Sequence, residues 1–248
     1  MIKWITVSLL ALLIMACENE VSVTEVNTNK IIVAENKTET VVEKNNNQYS
    51  AEVVPEKMTV QEKKERFRQL IVPAVKKVFA ELDQQYKQTK ALLKKDSNSN
   101  HIAKLKLTYK ADSDEDLLRR LKPHPVSIVL AQAAMESAWA TSRFFREAKN
   151  IFGVWSFDKN EPRIAAGEKR GNKTIWLKKY KTIEAAVRDN YSVLARGAAF
   201  ATFRKLRMTS NNPFELVKGL DKYSELGAKY GKELASVIRY NKFHLLDL

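Results

Sequence analysis

The sequence predicts a mainly α-helical domain that carries one small β-hairpin, an α+β arrangement dominated by its helices. Three observations predict it. Glycine is scarce, seven in 248 residues, while Ala, Leu, Lys and Glu are abundant, a composition that favours helix over sheet. Apolar side chains recur at spacings of three and four through most of the chain beyond Val60. That pattern breaks over one long interval, Gly153 to Thr182, where glycines and β-branched runs take over. A hydrophobic share of 44% suffices for one domain of ordinary size plus extensions.

The N-terminus reads as an address. Met1-Ile2-Lys3 is a positive start, and Trp4 to Ala16 is an apolar run shorter than the ~20 residues of a spanning helix. Residues 1–16 are therefore expected to be a signal peptide. It ends in Ile14-Met15-Ala16-Cys17, which resembles the lipobox of bacterial lipoproteins. The resemblance implies cleavage before Cys17 and lipidation of that cysteine, a membrane attachment strong enough to be stable. Cys17 is the only cysteine, so it has no partner for an intramolecular disulfide. An ordinary secretory signal with a stray cysteine is the plainer alternative. Glu18 stands where an Asp signals inner-membrane retention in enterobacterial lipoproteins, which favours the outer membrane over the plasma membrane. From Glu18 to Lys57 the chain is rich in Asn, Thr, Glu and Lys without a regular apolar period, and is expected to be a disordered tether.

From Val60 the period turns helical. Phe67, Leu70, Ile71, Ala74, Val78, Phe79, Leu82, Tyr86 and Leu93 form one stripe, with Lys, Gln and Glu opposite. Core packing explains such a stripe more simply than a membrane surface does. Pro73 is expected to kink or divide this helix. Asp96 to Asn100 reads as a loop, His101 to Tyr109 as a short helix, and Ser113 to Leu121 as another with Ser113 as N-cap. Lys122-Pro123-His124-Pro125 stops it and delivers the chain to Ser127, the expected N-cap of the next helix.

Ser127 to Phe145 holds no Gly or Pro and is rich in Ala. It is expected to form one buried helix over residues 127–146, with small or apolar residues on more than one side. Glu136 lies midway, the sole acidic residue between Asp116 and Glu147. Gln132 and Trp139 share its side on a continuous helix. A carboxyl beside an indole and apolar walls has a raised pKa, which suits a general acid near neutral pH. A partly exposed glutamate making a local hydrogen bond fits the same spacing.

The segment AQAAMESAWATSRF followed by NIFGVWSF resembles the glucosaminidase superfamily of peptidoglycan hydrolases, whose pattern is an Ala-Gln-Ala…Glu-Ser-x-Trp-Gly-x-Ser helix followed by Asn-Leu-Phe-Gly. The bacterial Bax proteins, unrelated to the apoptotic protein of that name, are the branch most similar to it. The resemblance runs from about Phe67 to the C-terminus. It implies a lysozyme-like helical domain with a small β-hairpin lobe over the cleft, and it places the family's catalytic glutamate on Glu136. Ala140 stands where the family usually has Gly, and its methyl group is expected to narrow the approach to the cleft slightly.

Within the hairpin interval, Thr174 to Leu177 reads as a strand and Gly167 to Lys173 as the turn region. Glycosidic cleavage normally needs a proton donor and a second carboxylate across the sugar. Asp158, Glu161 and Glu168 are the candidates, and relatives that carry the second acid on this hairpin favour Glu168, or Glu161 if the hairpin is shifted. All three also fit as solvated hairpin charges, and the substrate's own N-acetyl group would lessen the need for any of them. Phe152, Trp155, Trp176 and Tyr180 are aromatic candidates for the cleft, with core packing favoured for Phe152 and Trp176. Tyr180 falls where the family has a tyrosine that assists catalysis or binds substrate.

Thr182 caps a further helix with Ala186, Val187, Tyr191 and Leu194 inward, and Asn212-Pro213 opens another. The segment Tyr223-Ser224…Gly227…Tyr230 resembles the family's Tyr-Ser-x-x-Gly-x-x-Tyr, which makes Tyr223 and Tyr230 candidates for the cleft floor or for ordinary core tyrosines.

The catalytic candidates are thus Glu136, Glu168 and Tyr180, and the substrate-binding candidates Gln132, Trp139, Phe152, Trp155, Tyr223 and Tyr230. No cofactor or metal is expected, because the three histidines lie in no ligand-like cluster. The formal charge of +14 asks for acidic surroundings. Nucleic acid is set aside, since no zinc-ligand set, Arg-rich recognition helix or RRM-type sequence occurs. The expected function is cleavage of the β-1,4 bond after N-acetylglucosamine in peptidoglycan, by a lipid-anchored monomer acting on a glycan strand. A muramidase or lytic transglycosylase on the same fold, and a wall-binding lipoprotein without activity, are the alternatives.

Overall fold

Thr59 opens the first helix through reciprocal bonds. Its side chain accepts from the Glu62 backbone N–H, and the Glu62 carboxylate reaches back to the Thr59 N–H. The computed structural model describes residues 49–170 and 173–247, for residues 168–170 and 173 the backbone alone. Helix α1 (Val60–Lys95) runs through Pro73 undivided, so of the kink or division expected from sequence the division does not occur. The residues around Pro73 explain this: Ile71, Val75 and Val78 are fully buried. Their packing outweighs the roughly 3 kcal/mol that an internal proline costs. Helices α2 (Asn100–Tyr109) and α3 (Asp114–Leu121) start at the N-caps Ser99 and Ser113. They fold back on the far half of α1 around Ile102, Leu105, Leu117 and Leu121.

Helix α4 (Val126–Glu136) is the centre of the main core, buried at every position from Val126 to Ala134, and it packs on α1 and on the late helix Ala228–Tyr240. Its start departs from the sequence reading. Pro125 is the N-cap and Ser127 lies inside the helix. Asp247, from the far end of the chain, supplies the missing cap: it accepts from the Ser127 N–H at 2.8 Å and from its hydroxyl at 2.6 Å.

The end of α4 is the larger departure. The expected continuous helix over 127–146 does not form. α4 stops at Glu136, and Ala138, Trp139 and Ala140 follow with φ of 50, 62 and 61° before α5 (Arg143–Ala148) begins at the N-cap Ser142. Left-handed backbone costs an L-residue roughly 1–2 kcal/mol, so this turn must be held. Ser137 competes for the helical bonds, its hydroxyl donating to Ala133 O and accepting from the Ala140 N–H. Arg66, fully buried on α1, donates to Ala140 O at 2.7 Å. The other nitrogen of the same fork donates to the carbonyls of Ser50, Ala51 and Val53. Glu52 adds an ion pair to Lys149 at 2.9 Å. Residues 50–53 are therefore packed onto the domain, and the expected tether boundary at Lys57 moves N-terminally.

The hairpin pairs β1 (Arg163–Arg170) with β2 (Lys173–Lys178), antiparallel. β1 runs on to Arg170 and β2 starts at Lys173, so the strands reach further into the Gly167–Lys173 interval than expected. β1 bulges between Ala165 and Lys169, where Gly167 takes φ 67°. Asn150 docks the hairpin: buried, it donates to the carbonyls of Val154 and Lys178 and accepts from the Val154 N–H, each at 2.9 Å. Arg143 of α5 adds a bond to Ala165 O at 2.8 Å. Beyond it come α6 (Ile183–Arg196) capped by Thr182, α7 (Ala201–Thr209), α8 (Pro213–Leu216) capped by Asn212, and α9 (Ala228–Tyr240).

Replacing Arg66 by Met keeps its length and removes the donors of four carbonyls. Urea unfolding should show a loss of roughly 3–5 kcal/mol, of which Arg66→Lys recovers less than half, since a single ammonium cannot span the fork's positions.

Candidate active site

Four buried or half-buried side chains from three parts of the fold converge on Glu136 at the end of α4. The Tyr230 hydroxyl, on α9, donates to Glu136 Oε1 at 3.1 Å. Gln132, one turn before Glu136, donates from Nε2 to the Tyr230 hydroxyl at 3.5 Å. Its Oε1 accepts from Asn190 Nδ2 of α6 at 3.2 Å, and Asn190 Oδ1 accepts from the Tyr223 hydroxyl at 3.2 Å. The rings of Tyr223 and Tyr230 stack 5.1 Å apart at 13°. Every donor in this series points toward the carboxyl, so the bonds polarise one another in a single sense.

The electrostatics favour a protonated Glu136. Burial raises its pKa to about 7, and the Tyr230 hydrogen bond opposes that shift only in part. The position at a helix C-terminus works in the same direction, because the exposed carbonyls there disfavour an anion. Burial and the Glu136 charge push the Tyr223 and Tyr230 hydroxyls well above the usual phenol range, so they remain donors. Glu136 is half-buried. One oxygen is held from within, and the other, Oε2, accepts no hydrogen bond among the described residues.

The other predicted residues divide. Tyr223 and Tyr230 are brought to Glu136, Tyr230 by direct contact. Gln132 is fully buried and bonded at both ends of its amide, so it supports Tyr230 and offers no surface to a sugar. Phe152, 2% exposed, belongs to the core. Trp139 does not continue the helix face of Glu136. Its ring meets Phe67 edge-on with centroids 5.2 Å apart, under the Lys64 ammonium. Trp155 bridges to Leu177 and lies 6.2 Å from Phe157, which is 79% exposed. Trp176 is half-buried with the Arg163 guanidinium over its ring. Tyr180 donates to Asp189 Oδ2 at 2.7 Å, and Lys178 joins Asp189 at 3.1 Å and Glu161 at 3.7 Å. Asp158 caps its own turn by accepting from the Asn160 N–H. Glu168 lies on β1 with its backbone alone described, and Cys17 lies outside the described residues.

Ala140 is a further correction. It is fully buried with φ 61°, so its methyl group does not border a cleft, and its cost is backbone strain. Asn190 and Asp189 were missed by the sequence reading. A signal existed for Asn190, which falls within the inward stripe of Ala186, Val187, Tyr191 and Leu194 as a polar residue among apolar ones. Among the described residues no three His, Cys, Asp or Glu side chains converge as a metal site would require.

A family profile described as Mannosyl-glycoprotein endo-beta-N-acetylglucosaminidase, named Glucosaminidase, matches residues 111–243, just over half of the chain. The chain belongs to the glucosaminidase family. It therefore carries a glycoside hydrolase domain, with α4, the hairpin and α9 all inside the matched span. No curated protein matches the chain. Among solved structures, the catalytic domain of the autolysin Auto from Listeria monocytogenes is similar with TM-score 0.41 and 16% identity, over 65% of this chain and 85% of that one. A C-terminally truncated glycoside hydrolase domain of FlgJ from Salmonella typhimurium gives TM-score 0.39 and 23% identity, over 57% of this chain and 95% of that one.

The raised pKa of Glu136 in this glucosaminidase domain has a stability consequence of fixed sign. Below pH 4.5, the ordinary value, the carboxyl is neutral whether folded or unfolded. As pH rises from there to about 7, the unfolded chain ionises first and the folded state loses stability. Glu136→Gln should thus be neutral at pH 4 and stabilise by about 1–3 kcal/mol at pH 8, read from urea midpoints at the two pH values.

Proposed function

We propose that this glucosaminidase domain hydrolyses peptidoglycan at the β-1,4 bond after N-acetylglucosamine, held to the cell envelope by lipid on Cys17. The observation that carries the catalytic part is Glu136 itself: a carboxyl with a pKa of about 7, one oxygen fixed by Tyr230 and the other without a hydrogen bond among the described residues. A group so poised is protonated at the start of the reaction and surrenders its proton readily. Glu136 gives that proton to the glycosidic oxygen as the bond to the anomeric carbon breaks. The carboxylate left behind faces the Tyr230 hydroxyl, whose hydrogen bond strengthens as charge develops. The oxocarbenium-like centre is met by a hairpin carboxylate, with Glu168 first and Glu161 next, or by the substrate's acetamido oxygen, and water then displaces that oxygen while returning a proton to Glu136. The half-buried Trp155 and exposed Phe157 offer aromatic faces on the hairpin side for sugar rings.

The envelope setting rests on the sequence: a short apolar leader, the Ile14-Met15-Ala16-Cys17 site and a polar segment after it. The charge of +14 suits both anionic lipid and the acidic stem peptides of the wall.

Digestion of purified sacculi tests the reading. Wild type should release muropeptides with reducing N-acetylglucosamine ends, and Glu136→Gln should lower release by at least a hundredfold while still binding sacculi. Reducing N-acetylmuramic acid ends or anhydro ends would reassign the bond or the outcome, and no release by wild type would leave a wall-binding protein. Tyr230→Phe removes the bond that holds the Glu136 pKa down. The alkaline limb of its activity profile should therefore move to higher pH than that of wild type, with the rate reduced.

A further inference from the structure

On the side of α6 that faces α1, a cavity of about 470 Å³ opens between α1, α3 and α6, with Tyr109 of α2 at its edge. Part of its wall, Leu82, Gln85, Thr108 and Tyr109, precedes the residues that match the glucosaminidase family. The cavity is thus formed where the N-terminal helices meet the family domain, and Glu136 is not in its wall.

Its charge is one-sided. Arg120, Lys122, Arg188, Arg196 and Arg207 line it, against one carboxylate, Asp189. Asp189 is already engaged by Tyr180 and Lys178. Arg120 is neutralised by Asp116 at 2.5 Å and Arg188 by Glu81. Lys122, Arg196 and Arg207 have no carboxylate partner among the described residues. Lys122 donates to the Arg207 carbonyl. Arg207, 2% exposed, spends its fork on Arg119 O and the His124 ring, and its Nε is buried without a partner. Burial holds both cations below their usual pKa, helped by repulsion from Arg207 on Lys122 and from Arg204 on Arg207. Buried Arg207 and half-buried Lys122, without a carboxylate between them, are costly unless an anion joins them, and exposed Arg196 lines the same half-open space of ligand size. Leu82, Leu121, Pro123 and Ala185 supply an apolar wall beside them.

We propose that this cavity is a binding site for a phosphate monoester or diester carried on a small apolar body, whether a free organic phosphate or a phospholipid headgroup. The oxyanion sits among Lys122, Arg196 and Arg207, and the body rests on the Leu82–Pro123–Ala185 wall. Tyr180 is joined to this wall through its hydrogen bond to Asp189.

Calorimetric titration of the full chain with phenyl phosphate tests this, with benzyl alcohol as the neutral body and sodium chloride at matched ionic strength as the charge control. Wild type should give saturable one-to-one binding to phenyl phosphate and none to benzyl alcohol. Arg196→Gln, which removes an exposed cation of the wall, should weaken binding at least tenfold. Ala185→Phe fills the cavity without changing charge and should abolish it, with circular dichroism confirming the fold of both variants. Binding that survives Ala185→Phe, or that vanishes at matched ionic strength, overturns the site in favour of general surface charge. Vesicles of phosphatidylglycerol distinguish the source: retention of wild type above Ala185→Phe assigns a headgroup, and equal retention with intact phenyl phosphate binding assigns a free ester. Because the readout is binding, the result is independent of whether sacculi are cleaved.

Discussion

The structure depends on stopping α4 at Glu136. An acidic side chain in the interior of a buried helix would be enclosed on all sides. At the last residue of that helix it keeps one face toward solvent and gains the unfavourable end of the helix dipole. The three left-handed residues that follow are intrinsically strained, and Arg66 is the tie that holds them. A single guanidinium thereby connects α1, the segment entering it and the turn behind the candidate acid.

The support for Glu136 comes from elements far apart in sequence. Tyr230 lies 94 positions from it and Asn190 lies 58 from Gln132, yet the hydrogen bonds form one series. None of the members between Tyr223 and Glu136 is ionised, so the series can bias a proton without adding charge to the core. A cation beside Glu136 would have lowered its pKa and spoiled it as an acid. Positive charge is instead gathered elsewhere, along the α3–α6 cavity and the surface.

The hairpin is attached to this frame by backbone-directed bonds more than by a shared core. Asn150 bonds to both edges of the chain that enters and leaves it, and Arg143 holds the bulged strand. The Asn-x-Phe-Gly segment thus acts as a clasp: Asn150 bonds, Phe152 fills the core, and Gly153 takes φ 64°. A lobe held in this way is positioned accurately relative to α5, with Leu177 buried and most other described strand residues half-buried.

Local chemistry was legible in the chain. Ser113, Thr182 and Asn212 cap the helices expected of them, because a cap is decided within four residues. The α1 stripe and the hairpin were readable from spacing and turn residues, whereas Glu136 was singled out by the resemblance of the segment around it to the family pattern. Tertiary structure decided the rest. The break after Glu136 was invisible, since Ala138, Trp139 and Ala140 are unremarkable helix residues until Arg66, over seventy positions earlier, bonds the turn. Ser127 looked like a cap because Asp247 could not be seen beside it. Gln132 looked like a ligand contact because its burial and its amide bonds depend on α6 and α9. Sequence by itself fixes what each segment prefers, whereas long-range hydrogen bonds and burial choose where those preferences are overruled, because their energies exceed the roughly 1 kcal/mol scale of local propensity.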